Sequence, residues 1–196
     1  MNTRTKKRIV WVRHTSTDVQ PGTCYGQTDV PLKASFEEEA LECVKHLNRY
    51  SFDKAYTSPL SRCMKLARFC GFEKAVIDER LMEMNFGDWE MQRYDEIKDP
   101  YLQKWFNDYI HLSAPNGESF EMQYARVSSF IEDILQKEEN EVVVFSHGGS
   151  IICAQIYAGL ATFENGFSKQ PSYGGIVELE FSIQSSLTED DRMKYK

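Results

Sequence analysis

The chain has 196 residues, 41% of them hydrophobic and 13% aromatic, with a formal net charge of −7. That length and composition fit one globular domain able to bury a core and exclude a disordered chain. The acidic balance argues against a general nucleic-acid binder, which needs a basic face, yet it admits an anionic small substrate, because a local cationic cleft outweighs a global charge of opposite sign. Met1 to Arg8 is basic, but the apolar run behind it is too short for a signal-peptide core, and no stretch is long enough to cross a bilayer. Cys24, Cys43, Cys63, Cys70 and Cys153 are odd in number and lack CxxC spacing. They read as reduced thiols rather than a disulfide scaffold or zinc knuckle, and the expectation is a cytoplasmic protein.

Ile9 to Val12 reads as a short buried strand that ends abruptly in Arg13 and His14, followed by small hydroxyl residues. In an α/β fold the crevice beyond the carboxyl end of a strand is where ligands bind. A histidine nucleophile beside a fixed cation suits the capture of a phosphoryl group. Thr15 to Leu32 is rich in turn formers and reads as a loop. Phe36, Ala40, Val44 and Leu47 recur at helical spacing behind Glu37, Glu38 and Glu39, acids that favour a helix start. Phe52 to Thr57 predicts a second strand. Ser58 is expected to cap the next helix, with Pro59 as its first residue. Arg62 would then sit in the first turn of a helix stopping near Gly71, before a short edge-like strand over Lys74 to Ile77.

Leu81 to Glu90 is a loop with several carboxylates among large apolar residues, a setting that suits proton transfer. In 91–113, Tyr94, Ile97, Tyr101, Trp105 and Tyr109 recur at three or four residues, predicting one or two helices interrupted near Pro100. Those aromatics read either as a packed helical face or as a lid over a ligand. Pro115 to Ser119 turns into a helix with Phe120, Tyr124, Val127, Ile131 and Leu135 on one stripe. Glu141 to Phe145 is the clearest strand, apolar and therefore central. Ser146-His147-Gly148-Gly149 follows it, then a helix over Ile151 to Leu160. Ile176 to Ile183 is a last strand, and beyond Ser185 the chain reads as a polar, frayed tail.

Strands alternating with helices imply a mostly parallel sheet between two helical layers, whose strand carboxyl ends face one way. Arg13 with His14, Arg62 and His147 can therefore converge on one crevice. Arginine compensates a phosphate dianion in a fixed fork. The glycines of His147-Gly148-Gly149 let a phosphate oxygen approach backbone N–H groups at a helix start. A neutral histidine attacks, and Glu83 protonates the leaving alkoxide and then activates water. Taken singly, His14 reads equally as a core or capping histidine and Arg62 as a surface charge; their joint placement with His147 carries the functional reading. His46 and His111 read as structural or exposed.

Four motifs carry a resemblance. Arg13-His14-Thr15-Ser16-Thr17, Ser58-Pro59-Leu60-Ser61-Arg62, Leu81-Met82-Glu83 with Phe86-Gly87-Asp88-Trp89-Glu90, and Ser146-His147-Gly148-Gly149 resemble, in order, the signature motifs of the histidine phosphatase superfamily, in its phosphoglycerate mutase-like branch. The resemblance spans residues 8 to about 180. It implies a three-layer α/β/α sandwich with a mostly parallel sheet, in a single domain over 1–196 with its core at about 8–183 and a tail over 184–196. It implies that His14 is phosphorylated during turnover, that Arg13, Arg62 and His147 hold the phosphoryl group, and that Glu83 is the proton donor. The loop holding Gln20, Tyr25, Gly26 and Gln27 is implied to add phosphate contacts, with Gly148 at the second helix start. No metal and no cofactor are implied. The partner expected is a small-molecule phosphate ester, with neither nucleic acid nor membrane; a homodimer stays open. The chain departs from the family pattern at Thr15 and Met91, which stand where glycines are usual, and at Gln20, where an asparagine is common. It is shorter than the family's mutases, and Cys24 to Leu32 looks most like the alpha-ribazole phosphatases of cobalamin assembly. A phosphatase of broad or sugar-phosphate specificity, a phosphoglycerate mutase and a non-catalytic phospho-ligand binder are the alternatives. GxSxG, GxxxxGK[ST] and HExxH motifs are absent.

Overall fold

A computed structural model describes residues 4–184; the predicted tail beyond Ser185 and residues 1–3 lie outside them. Five strands, β1 (Arg4–Arg13), β2 (Lys54–Thr57), β3 (Val76–Ile77), β4 (Glu141–Ser146) and β5 (Ile176–Gln184), form one sheet in the order β3-β2-β4-β1-β5. β1, β2, β3 and β4 run parallel and β5 closes the far edge antiparallel to β1. Five helices surround it: α1 (Phe36–Leu47), α2 (Ser61–Phe69), α3 (Tyr101–Asn107), α4 (Phe120–Gln136) and α5 (Gly148–Tyr157).

Strand alternation makes the layers. Ile9 and Trp11 of β1, with Val142 and Val144 of β4, face a core containing Phe120, Phe130 and Ile131 of α4 and Ile151 and Ile152 of α5. Val10, Val12, Val143 and Phe145 face the opposite core, with Ala40, Cys43 and Leu47 of α1 and Cys63, Leu66 and Ala67 of α2. A period of two on a sheet covered on both sides turns a continuous apolar run into two cores. All five cysteines are unpaired, and no described helix is long and apolar enough to cross a membrane.

The sheet register builds the site. Arg13 pairs with Ser146, and the His14 N–H donates to the Ser146 carbonyl at 3.0 Å, so His14 and His147 leave neighbouring strands at one level. The Ser58 N–H donates to the Phe145 carbonyl at 3.0 Å, bringing the end of β2 to the same rim.

Several local expectations are corrected. α2 starts at Ser61 with Leu60 at its cap, not at Ser58 and Pro59. The Ser58 hydroxyl lies 2.8 Å from the His147 ring and accepts from the Leu60 N–H at 3.3 Å, while Leu60 itself is still extended. The 91–113 segment yields one helix, α3. The residues before it are held as turns, among them by Arg93 on Asp95 and by the Trp89 indole N–H on Asp99 at 3.3 Å. α5 begins at Gly148 and ends at Tyr157, earlier than the Ile151 to Leu160 expected, because both glycines are taken into its first turn. Met91 has φ +64°, the left-handed region where a glycine is least strained, which gives the family's usual glycine there a physical reason.

Phe130 of α4 lies edge-on to Trp11 (6.0 Å) and to Tyr56 (5.4 Å), tying the helix to two strands. Phe130→Ala is expected to cost about 3–5 kcal/mol in denaturant unfolding; a loss under 1 kcal/mol would mean that this helix does not anchor the sheet.

Candidate active site

A cavity of about 220 Å³ opens beyond the carboxyl ends of β1, β2 and β4, with Arg13, His14, Tyr25, Arg62 and Glu83 in its wall. His14 is almost fully buried, and its Nδ1 lies 2.8 Å from the Thr15 carbonyl. A carbonyl only accepts, so Nδ1 carries the proton and Nε2 keeps a free lone pair. Burial first, and then the Arg62 charge, push the His14 pKa down to about 3, so the ring is neutral at neutral pH.

Arg62, in the first turn of α2, has no solvent exposure. It donates through Nη2 to the Gly26 carbonyl at 2.5 Å and through Nη1 to the Thr28 carbonyl at 3.0 Å, and Nε lies 3.3 Å from His147 Nδ1. Arg13 donates through Nη1 to the Pro171 carbonyl at 2.6 Å, and its guanidinium lies 4.1 Å from the Tyr173 ring centroid. Its Nε is buried with no partner. The protein thus engages one corner of the Arg13 fork through Nη1, and the Nε–Nη2 edge is the one with bidentate geometry.

Glu83 reaches the other side. Its Oε1 accepts from the Gln123 amide at 2.8 Å and the Met84 N–H at 3.0 Å, and its Oε2 accepts from the Gly149 N–H at 3.0 Å. The start of α5 therefore grips the carboxylate. A Cβ at Gly149 would stand 2.3 Å from that carboxylate, so glycine is required for the approach.

Other expected residues sit behind or outside the cavity. His147 is fully buried behind the wall, with Nδ1 accepting from Arg62 and Nε2 donating to Ser58. Burial, then Arg62, hold its pKa well below the usual histidine value. Gly26 contributes its carbonyl to Arg62, and a Cβ there would collide with the Met84 carbonyl. Gly148 packs beneath Gln170 and Arg13. Gln27 turns away, donating to the Glu83 carbonyl at 3.1 Å, and Gln20 is exposed, outside the wall. His46 and His111 lie elsewhere, against Glu178 and Asp108.

Gln123, Phe167, Gln170 and Tyr173 also line the cavity and were not read from the sequence. The Tyr173 hydroxyl bonds that of Tyr25 at 2.8 Å, which bonds Thr17 at 2.8 Å. Burial raises Tyr25 to about 12, keeping it a hydroxyl. Gln123 left one signal, a polar residue inside the buried stripe of α4. The 166–175 segment left only its place before β5, beside the end of β1.

A neutral imidazole flanked by two guanidiniums, with a carboxylate across the cavity, can capture a phosphoryl group and manage the accompanying proton. Residues 9–186 match the histidine phosphatase superfamily (branch 1), and the chain belongs to that family; it is a phosphatase. It is 30% identical over 159 residues to the adenosylcobalamin/alpha-ribazole phosphatase of Escherichia coli, covering 76% of this chain and 78% of that one. Phosphoserine phosphatase 1 of Hydrogenobacter thermophilus is 26% identical over 185 residues, with 88% and 87% covered. The alpha-ribazole phosphatase structure from Shigella flexneri superposes with a TM-score of 0.80 at 26% identity, over 90% of this chain and 95% of that one.

The depressed histidines set a pH dependence. Unfolded histidines take protons as pH falls through about 6.5, while folded His14 does not until about 3, so the unfolded state binds more protons in that window. Stability is expected to fall on acidification from pH 7 towards pH 4, by up to about 1.4 kcal/mol per pH unit for each such histidine. His14→Asn should flatten the pH dependence of the urea midpoint; an unchanged slope would remove His14 from this account.

Proposed function

We propose that this phosphatase hydrolyses alpha-ribazole 5'-phosphate, through a phosphohistidine on His14 and without a metal. Arg13 and Arg62 hold the phosphoryl oxygens, and His147 fixes Arg62 from behind. His14 Nε2 attacks phosphorus, the P–O bond to the ribose breaks, and the leaving alkoxide takes a proton from Glu83. Water then attacks the phosphohistidine and gives its proton to the Glu83 carboxylate. The P–N bond breaks, and neutral His14 and inorganic phosphate are regenerated.

The observation that carries the substrate reading is an apolar annex of about 390 Å³, lined by Met84, Phe86, Tyr94, Trp105, Phe106, Tyr109 and Phe167. Four of these, Met84, Phe86, Tyr94 and Phe167, also line the phosphate cavity, so the two spaces share a wall. A flat aromatic base fits such a slot by stacking and apolar burial. A serine or sugar leaving group would leave it unfilled. Tyr101 does not take part: its hydroxyl is turned to the Ser113 carbonyl. Five unpaired thiols accord with a reducing, cytoplasmic setting.

Burying one aromatic ring is worth about 1.5–3 kcal/mol. Alpha-ribazole 5'-phosphate should therefore exceed phosphoserine and ribose 5-phosphate in kcat/KM by about tenfold to a hundredfold, with the rate unchanged by a chelator and abolished in His14→Ala. Equal constants across the panel would replace this substrate with a broad-specificity phosphatase. Interconversion of phosphoglycerates would make the protein a mutase. Glu83→Gln is expected to slow poor leaving groups by about a hundredfold or more and nitrophenyl phosphate far less; equal losses would contradict the proton-donor role.

A further inference from the structure

Glu90 closes the acid-loop motif but lies outside the cavity wall. It is half-buried, and the groups it binds are unusual for a loop carboxylate. Oε1 accepts from the backbone N–H of Gln27 at 2.8 Å and of Phe86 at 3.2 Å, and Oε2 accepts from the N–H of Thr28 at 2.6 Å and from the Thr28 hydroxyl. The Gln27 N–H belongs to the same peptide group as the Gly26 carbonyl, and that carbonyl accepts from Arg62 Nη2 at 2.5 Å. A carboxylate, one peptide group and a guanidinium therefore stand in line, each hydrogen bond polarising the next. The second carbonyl on Arg62, that of Thr28, belongs to the residue whose N–H and hydroxyl Glu90 holds.

Arg62 needs such help. It is fully buried, and Asp29, its ion-pair partner, lies at 4.0 Å with its side chain half exposed. A buried charge is costly unless opposite charge or oriented dipoles compensate it. We infer that Glu90 is a positioning residue that orients Arg62 for the phosphoryl group through the Gly26–Gln27 peptide. This rests on the reading of Arg62 as a phosphoryl contact. Glu90 touches no substrate. Its negative charge supports the two carbonyls on Arg62 without forming an ion pair that would neutralise the guanidinium towards an anion.

A double-mutant cycle separates the relay from the reading beneath it. Inorganic phosphate is used as a competitive inhibitor of nitrophenyl phosphate hydrolysis, and its Ki is measured for wild type, E90Q, E90D, R62K and both double variants. A glutamine offers one acceptor oxygen where four donors converge, so E90Q should raise Ki by about tenfold, with E90D between it and wild type because the charge is kept. In the R62K background either Glu90 change should alter Ki less than about twofold, because the relay has lost its end. Thermal unfolding identifies which of E90Q and E90D is folded, and that variant closes the cycle. If the losses multiply instead, or if E90Q leaves Ki unchanged while R62K raises it, the relay is overturned. If R62K itself leaves Ki unchanged, the phosphoryl role of Arg62 fails instead.

Discussion

A fully buried guanidinium with little carboxylate compensation is the constraint on which the site depends. Arg62 is surrounded by two carbonyls and an imidazole lone pair, and its acidic neighbour Asp29 stands at 4.0 Å on the solvent side. Removing such a charge from water costs several kcal/mol. Dipoles orient it without cancelling its charge. Burial first, and then the same charge, keep both neighbouring imidazoles neutral: Arg62 is the largest electrostatic contributor to the lowered affinity of His14 and of His147 for protons. Charge and nucleophile are thus one arrangement. In the proposed chemistry, the cation that would meet the anion also helps burial keep a lone pair on the histidine that would attack it.

The sheet makes this possible because it fixes relative positions without long side-chain reach. Parallel pairing of β1 with β4 and of β4 with β2 puts three strand ends on one rim. Their residues emerge from backbone that is hydrogen-bonded on both sides. This part was legible in the sequence. Buried parallel strands are continuous apolar runs, and Ile9–Val12 and Glu141–Phe145 end in residues too polar to belong to the core. Strand direction alone brings Arg13, His14, Arg62 and His147 to one rim; that His147 stands behind the cavity wall, and not in it as the sequence implies, is set by its contacts with Arg62 and Ser58.

What was not legible depends on tertiary partners. Ser58, Pro59 and Arg62 carry the local chemistry of a helix start, but Ser58 is engaged by His147, which is 89 residues away in sequence, and the helix begins three residues later. Gln20 and Gln27 belong to a loop next to the site, but a loop's side-chain directions are set by whatever it packs against. Glu83 and Glu90 take two N–H groups and two side chains of that loop. Gln170 and Tyr173 lie in a stretch with no periodicity to read. They reach the site because β5 runs antiparallel to β1, returning the preceding segment over Arg13.

The two halves of the cavity have different origins. The end that holds Arg13, His14 and Glu83 is built from the end of β1 and from a loop carboxylate gripped by the start of α5. The annex is built from the 84–109 segment and the Gly166–Lys169 turn, which are largely irregular chain bearing aromatic side chains, with Phe106 and Phe167 about half exposed. Apolar walls of that kind tolerate exchange of one large side chain for another. If the annex takes the leaving group, as proposed above, its wall can change while the groups on the strand ends stay fixed. On the proposal that the annex takes the leaving group, substitutions that redirect the substrate fall in the aromatic wall between Met84 and Tyr109 and at Phe167, not at the histidines.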